Sequence, residues 1–170
     1  PGGIIYAGDA GADITVVLAS APPAATVHIN SVAYGVVAYN LNAGFDANIQ
    51  AGAGVTVSSA LDGELAFTAG GGDAVIVNDA TVDAGNDGIE TAAFAGGNAV
   101  IINSGDVTTD ASGGQTVTAG VTAYAASGVA YINNSGDVDV SGAVDELYGV
   151  IADGTTAAGV EVRYSWAYQL

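Results

Sequence analysis

Positive charge is nearly missing from this chain. Arg163 is its one lysine or arginine and His28 its one histidine, against 18 aspartates and glutamates, for a formal net charge of −17. A surface of that sign repels nucleic-acid phosphates and anionic lipid headgroups, which excludes both as partners, and it attracts cations. Cysteine is absent, so neither a disulfide framework nor a thiolate metal site is available. Methionine is absent too; opening on Pro1, the chain reads as a processed or excised form in which no positively charged, apolar signal peptide remains, and export is expected. The most apolar early run, "ITVVLASAPPAATV" (Ile14–Val27), is broken by Pro22-Pro23 and falls short of the ~20 residues a spanning helix needs, so no membrane insertion of this segment is expected. Leucine is scarce and no stretch intersperses Glu, Lys and Leu, which excludes long helices.

What remains is a chain that is 50% hydrophobic, mostly Ala, Val and Ile, with 26 glycines. Small and β-branched side chains with abundant glycine specify short strands and tight turns. The length of 170 residues suffices to bury one core. The acids are unevenly spread, only Asp9, Asp13 and Asp46 preceding Asp62. Solubility accounts for such charge; cation binding is the sharper reading.

From Asp73 onward a unit recurs: "GDAVIVNDATVDAGNDGIETAAFAG", "GNAVIINSGDVTTDASGGQTVTAGVTAYAAS" and "GVAYINNSGDVDVSGAVDELYGVIADGTTA", with a partial copy "GVEVRYSWAYQL" at the end. The opening glycines Gly72, Gly97, Gly128 and Gly159 are spaced 25, 31 and 31. A period of roughly 20–50 residues marks a stacked array. Two or three short strands per unit predict an all-β parallel β-helix, a solenoid of about five irregular coils. In that arrangement Ile76, Ile101 and Ile132 fall above one another, as do Ile89, Val121 and Val150. Asn78, Asn103 and Asn134 then share one corner and form a structural ladder. Asparagine tolerates left-handed backbone, and its amide can bond the same amide one coil on. Gly105 and Gly136 would supply positive φ. The alternative is an antiparallel β-sandwich or jelly roll in which "NSGD" is an ordinary hairpin turn. The expected organisation is a single domain: divergent N-terminal coils or a cap over 1–72, recognisable repeats over 73–162, and a C-terminal aromatic strand over 163–170.

The repeats, "GVAYINNSGDVDVSG…YGVIADG" and its siblings, resemble passenger-domain repeats of bacterial autotransporters and filamentous surface adhesins. The resemblance covers Asp73 to about Val162. It implies a right-handed β-helix displayed outside the cell, with the corner role falling on Asn78, Asn103 and Asn134. The outer-membrane barrel of that family has no counterpart in this sequence.

Catalytic chemistry is not indicated. His28 stands alone in "ATVHINS" with no triad partners nearby. Polysaccharide-active β-helix enzymes line acidic clefts with Arg, Lys and aromatic residues, and this chain has one Arg and one Trp. The stronger site candidate is "DAGNDGIE", where Asp83, Asp87 and Glu90 offer oxygen ligands of the kind Ca²⁺ prefers. It fits neither an EF-hand, whose closing Glu would fall at Phe94, nor a tandem nonapeptide repeat. At the C-terminus Tyr164, Trp166, Tyr168 and Leu170 alternate with small or polar residues and form a subunit or cap contact, either packing on the last coil or pairing with a neighbouring subunit's edge.

The sequence therefore reads as an extracellular or cell-surface structural protein without catalytic activity, a stalk or self-assembling fibre subunit. Its partners would be itself or a cell-surface or host ligand, with Ca²⁺ as the one cofactor in view. Two alternatives stay open: a β-sandwich pilin-like subunit polymerising by donor-strand exchange, and a secreted polysaccharide-active β-helix enzyme.

Overall fold

A computed structural model describes residues 5–7, 11–20, 26–111, 117–142, 146–154 and 160–164. Short strands recur in threes along the chain, and like members of each triplet pair with one another in parallel. Sheet A contains β1 (Ile5–Ala7), β4 (Val36–Asn40), β7 (Glu64–Thr68), β10 (Ile89–Ala93), β13 (Val117–Ala125) and β16 (Glu146–Gly154). Sheet B contains β2 (Ile14–Leu18), β5 (Ala47–Ala51), β8 (Ala74–Asn78), β11 (Ala99–Asn103), β14 (Ala130–Asn134) and β17 (Val160–Tyr164). Sheet C contains β3 (Val27–Ser31), β6 (Val55–Ser59), β9 (Thr81–Ala84), β12 (Val107–Ala111) and β15 (Val138–Gly142). Each winding passes A, B, C and returns to A one rung further on. The molecule is an all-β parallel solenoid, as its repeats predict, and its described residues include no helix.

Strand alternation explains why these residues form these elements. Every second side chain points inward, and in register the same inward position repeats on each rung. Sheet B stacks Val16, Ile49, Ile76, Ile101, Ile132 and Val162 in one column. The four isoleucines are wholly buried, and burying each contributes about 1.5–3 kcal/mol. Sheet C stacks Ile29, Val57, Val82, Val107 and Val138. Sheet A stacks Val36, Glu64, Ile89, Val121 and Val150, a column with one acid in it. No single rung could bury these side chains; stacking does it for all but the last described member of each column, Val138, Val150 and Val162.

Glycine columns set the corners. Gly35, Gly63, Gly88 and Gly120 each precede the inward residue of a sheet A strand. A Cβ on Gly88 would collide with Val107 Cγ1 and lie 2.5 Å from the carbonyl oxygen of Gly120. Gly149 ends the same column and has nothing within 4 Å of that position. The expectation for Gly105 and Gly136 needs correction. Neither has positive φ, and the corner asparagines are ordinary strand residues; Ala95 is the one non-glycine with positive φ among the described residues. Glycine is required at 105 and 136 because the carbonyl oxygen of the preceding rung, Ala80 and Gly105 respectively, occupies the space a Cβ would need.

The described residues before Asp73 follow the same path. β4 and β7 join sheet A, and β2 and β5 join sheet B, in register with the later strands. Their divergence lies in loop sequence and length, not in the course of the chain.

Candidate functional site

The corners carry hydrogen-bonded columns of short polar side chains. At the B-to-C corner Asn78 Nδ2 donates to Asn103 Oδ1 at 2.8 Å, and Asn103 Nδ2 donates to Asn134 Oδ1 at 2.6 Å. Each amide also donates to the carbonyl two residues ahead, on Ala80, Gly105 and Gly136 at 3.0, 2.8 and 2.7 Å. All three asparagines are buried, so the satisfied amides fix where the strand ends and the turn begins.

At the A-to-B corner aspartate does a related job. Asp13 Oδ1 accepts the backbone N–H of Asp46 at 3.0 Å, Asp46 Oδ1 that of Asp73 at 2.8 Å, and Asp73 Oδ1 that of Asn98 at 2.8 Å. Asn98 Oδ1 continues the column to Val129 N at 2.9 Å. Much of the acidity is thus structural: a carboxylate one methylene from the backbone reaches the unpaired N–H of the next rung. The spacing of Asp13, Asp46, Asp73 and Asn98 hides this in the sequence, because the intervening loops differ in length.

The three residues expected to ligate a metal are not gathered into one set. Asp83 is exposed on the outer face of β9, while Asp87 lies in the turn before β10 and Glu90 points outward from β10. Asp87 and Glu90 instead share a neighbourhood with Asp62. Asp62 Oδ1 accepts Asn86 Nδ2 at 2.7 Å, and Asp87 Oδ1 accepts Ala119 N at 2.7 Å. Burial raises the pKa of both aspartates. Burial, then the charges of Asp62 and Asp87, push Glu90 up to about 7. Among the described residues no group of three or more His, Asp or Glu side chains is placed to hold a metal ion.

Glu64 was not anticipated. It occupies the inward column of sheet A between Val36 and Ile89, wholly buried, with no hydrogen-bond partner on either carboxylate oxygen. Desolvation raises its pKa to about 8. The signal in the sequence is "DGELAFT", in which Glu takes the place of the apolar residue that follows glycine in "YGVVAYN" and "DGIETAAF".

The outer faces differ in chemistry. Sheet A carries an aromatic ladder, Tyr39, Phe67, Phe94 and Tyr124, with successive ring centroids 5.4, 5.5 and 5.3 Å apart. Sheet C is polar and acidic, showing His28, Asp83, Asp110 and Asp139 to solvent. Sheet B presents aliphatic side chains and amides, with Val17 61% and Ile102 42% exposed. Among the described residues its one ionic pair, Arg163 with Glu161 at 2.5 Å, sits on the last described rung.

The C-terminal strand pairs in parallel with β14, continuing sheet B by one rung. Its contact residues lie outside the description: only the backbone of Tyr164 is placed, and Trp166, Tyr168 and Leu170 fall beyond the described residues. On this rung inward positions are open. Val160 is 51% and Val162 38% exposed, where their partners Ala130 and Ile132 are wholly buried. Compared with protein-family models, curated proteins and solved structures, the chain matches none of them.

Proposed function

We propose that this chain is a structural and adhesive module of the cell exterior: a segment of stalk or fibre that lengthens by adding rungs and binds partners along its sides. The observation that carries this reading is the last described rung, β17, whose inward Val160 and Val162 are half-open while the same columns are sealed on the described rungs below. An open parallel edge with an apolar interior is completed by another rung in register, which supplies both main-chain hydrogen bonds and burial. The passenger-domain repeats that the sequence resembles are built on the same scheme.

Sedimentation velocity and negative-stain microscopy of the purified chain test it. Rods or a concentration-dependent series of end-to-end species are expected, with particles shortened to the single chain by Val160→Asp with Val162→Asp. A monodisperse single chain at every concentration, unchanged by the double variant, would contradict the stacking role. Because each copy brings a charge of −17, assembly should strengthen with added salt as repulsion is screened. Divalent cations should act at lower concentration than sodium; if chelation leaves particle length unchanged, cations have no specific part in it.

A further inference from the structure

We infer that the outer face of sheet B is a docking surface for a cationic amphipathic segment of a partner protein. The inference extends the adhesive reading but does not depend on end-to-end stacking. Outward side chains of sheet B fall in two rows: Thr15, Asn48, Val75, Val100, Tyr131 and Glu161 in one, Val17, Gln50, Val77, Ile102, Asn133 and Arg163 in the other. From β2 through β14 neither row contains a charge. That is unusual in a chain with 18 acids, and it leaves Val75, Val77, Val100 and Ile102 as an apolar centre. An open depression on this face is lined by Val17, Gln50 and Val77, with Asp79 at its rim.

Charge complementarity identifies the occupant. The strip is bordered on the A-to-B side by the column of Asp13, Asp46 and Asp73, and on the B-to-C side by Asp79 and Asp106. A partner covering the strip must be apolar at its centre and positive at both margins. A second copy fails on charge, since it brings the same acidic margins. A five-residue strand spans ~16 Å and six strands cover ~24 Å. A helix ~10–12 Å across fits between the margins, and ~16 residues fill the length. Such a helix would lie along the solenoid axis with Lys or Arg reaching the carboxylates on each side.

The test uses three labelled peptides of equal length: a Leu/Lys amphipathic helix, a Leu/Glu amphipathic helix, and a Ser/Lys peptide without an apolar stripe. Anisotropy titrations against the whole chain at ~0.15 M salt should show saturable one-to-one binding of the first alone. Val77→Gln with Ile102→Asn should weaken it at least tenfold. The fold already accepts these residues in the same row, at Gln50 and Asn133, and circular dichroism melts of the variant check that it is folded. Asp73→Asn with Asp79→Asn should weaken binding several-fold and flatten its salt dependence. Equal binding of the Ser/Lys peptide would reduce the surface to non-specific charge. Equal binding of the Leu/Glu peptide, or unchanged affinity in the apolar double variant, would place the contact elsewhere. Self-association that the apolar double variant abolishes would make the occupant a second copy. Each of these four results overturns the proposal. Loss of end-to-end species in Val160→Asp with Val162→Asp leaves this assay unaffected, so the two readings fail separately.

Discussion

Replacing Glu64 should make the solenoid more stable, and the gain should grow with pH. Glu64 is sealed in the sheet A column with both carboxylate oxygens unpartnered. The strands packed against β7 are β4, β5, β8 and β10, and their titratable side chains, Tyr39 and Glu90, alternate to the outer face. Nothing therefore offsets the desolvation of the charged form. In the unfolded chain this carboxyl loses its proton around pH 4.5, whereas in the folded chain it keeps it until about 8. Between those values the folded state binds one more proton than the unfolded state, so the free energy of unfolding falls as pH rises. The slope is about 1.4 kcal/mol per pH unit. The contribution is present at and below pH 4.5, about 3 kcal/mol of it is gone at pH 7, and about 4 kcal/mol by pH 8. Glu64→Ile, which copies Ile89 in the same column, and Glu64→Gln both remove the titration. Urea unfolding of all three proteins at half-unit steps from pH 4.5 to 8 reads the effect. The gap between Glu64→Ile and the parent should widen by about 3 kcal/mol from pH 4.5 to 7, a midpoint shift of roughly 1–3 M urea. Asp62, Asp87 and Glu90 also have raised pKa values and lower stability in the same direction, but they are common to every variant and cancel in the gap. Parallel stability curves for parent and Glu64→Ile across this range would refute the reasoning.

Other outcomes follow from single contacts. Asn103→Ala removes the central rung of the amide ladder and leaves Asn134 Oδ1 without its donor; chemical denaturation should show a loss of about 2–4 kcal/mol. Gly88→Ala forces a Cβ against Val107 and the Gly120 carbonyl and should cost about 3 kcal/mol or more, or prevent folding. Gly149→Ala in the same column meets nothing within 4 Å and should stay within about 0.5 kcal/mol of the parent in thermal melts. Phe67→Ala breaks the aromatic ladder between Tyr39 and Phe94, and should lower stability by about 1–3 kcal/mol and change the near-ultraviolet circular dichroism.

The repeats made the solenoid legible because one strand phrase recurs from Gly72 onward, as "AVIVN", "AVIIN" and "AYINN", even though the spacing between copies changes from 25 to 31 residues. Ile76, Ile101 and Ile132, and Asn78, Asn103 and Asn134, could be aligned by eye and do sit in register. Where that phrase is missing, as in "ITVVL" and "ANIQA", the columns vanish from the sequence though they persist in space: Val16 and Ile49 belong under Ile76, and Asp13, Asp46 and Asp73 share a corner. Glu64 escaped because an inward position is expected to be apolar, and a lone acid in a strand reads as solvent-facing. The role given to Gly105 and Gly136 was mistaken in mechanism: close approach of a neighbouring rung and a positive φ both demand glycine, and only the stacked geometry separates them. The grouping of Asp83, Asp87 and Glu90 assumed that nearness in sequence meant nearness in space. A corner between β9 and β10 sends Asp83 to one face and Glu90 to another.

The absence of cysteine allows a direct check of the stacking itself. Thr108 and Asp139 face outward on neighbouring rungs and are register partners, which places their Cα atoms ~4.8 Å apart, within disulfide reach. Ser141, two residues further along, pairs with Asp110 and lies ~8 Å from Thr108, out of reach. Under mild oxidation the Thr108→Cys with Asp139→Cys protein should form an intramolecular disulfide, seen as a loss of two hydrogens by mass spectrometry, while Thr108→Cys with Ser141→Cys should keep free thiols. Cross-linking of the second pair in preference to the first, or of neither, would contradict a parallel, in-register solenoid.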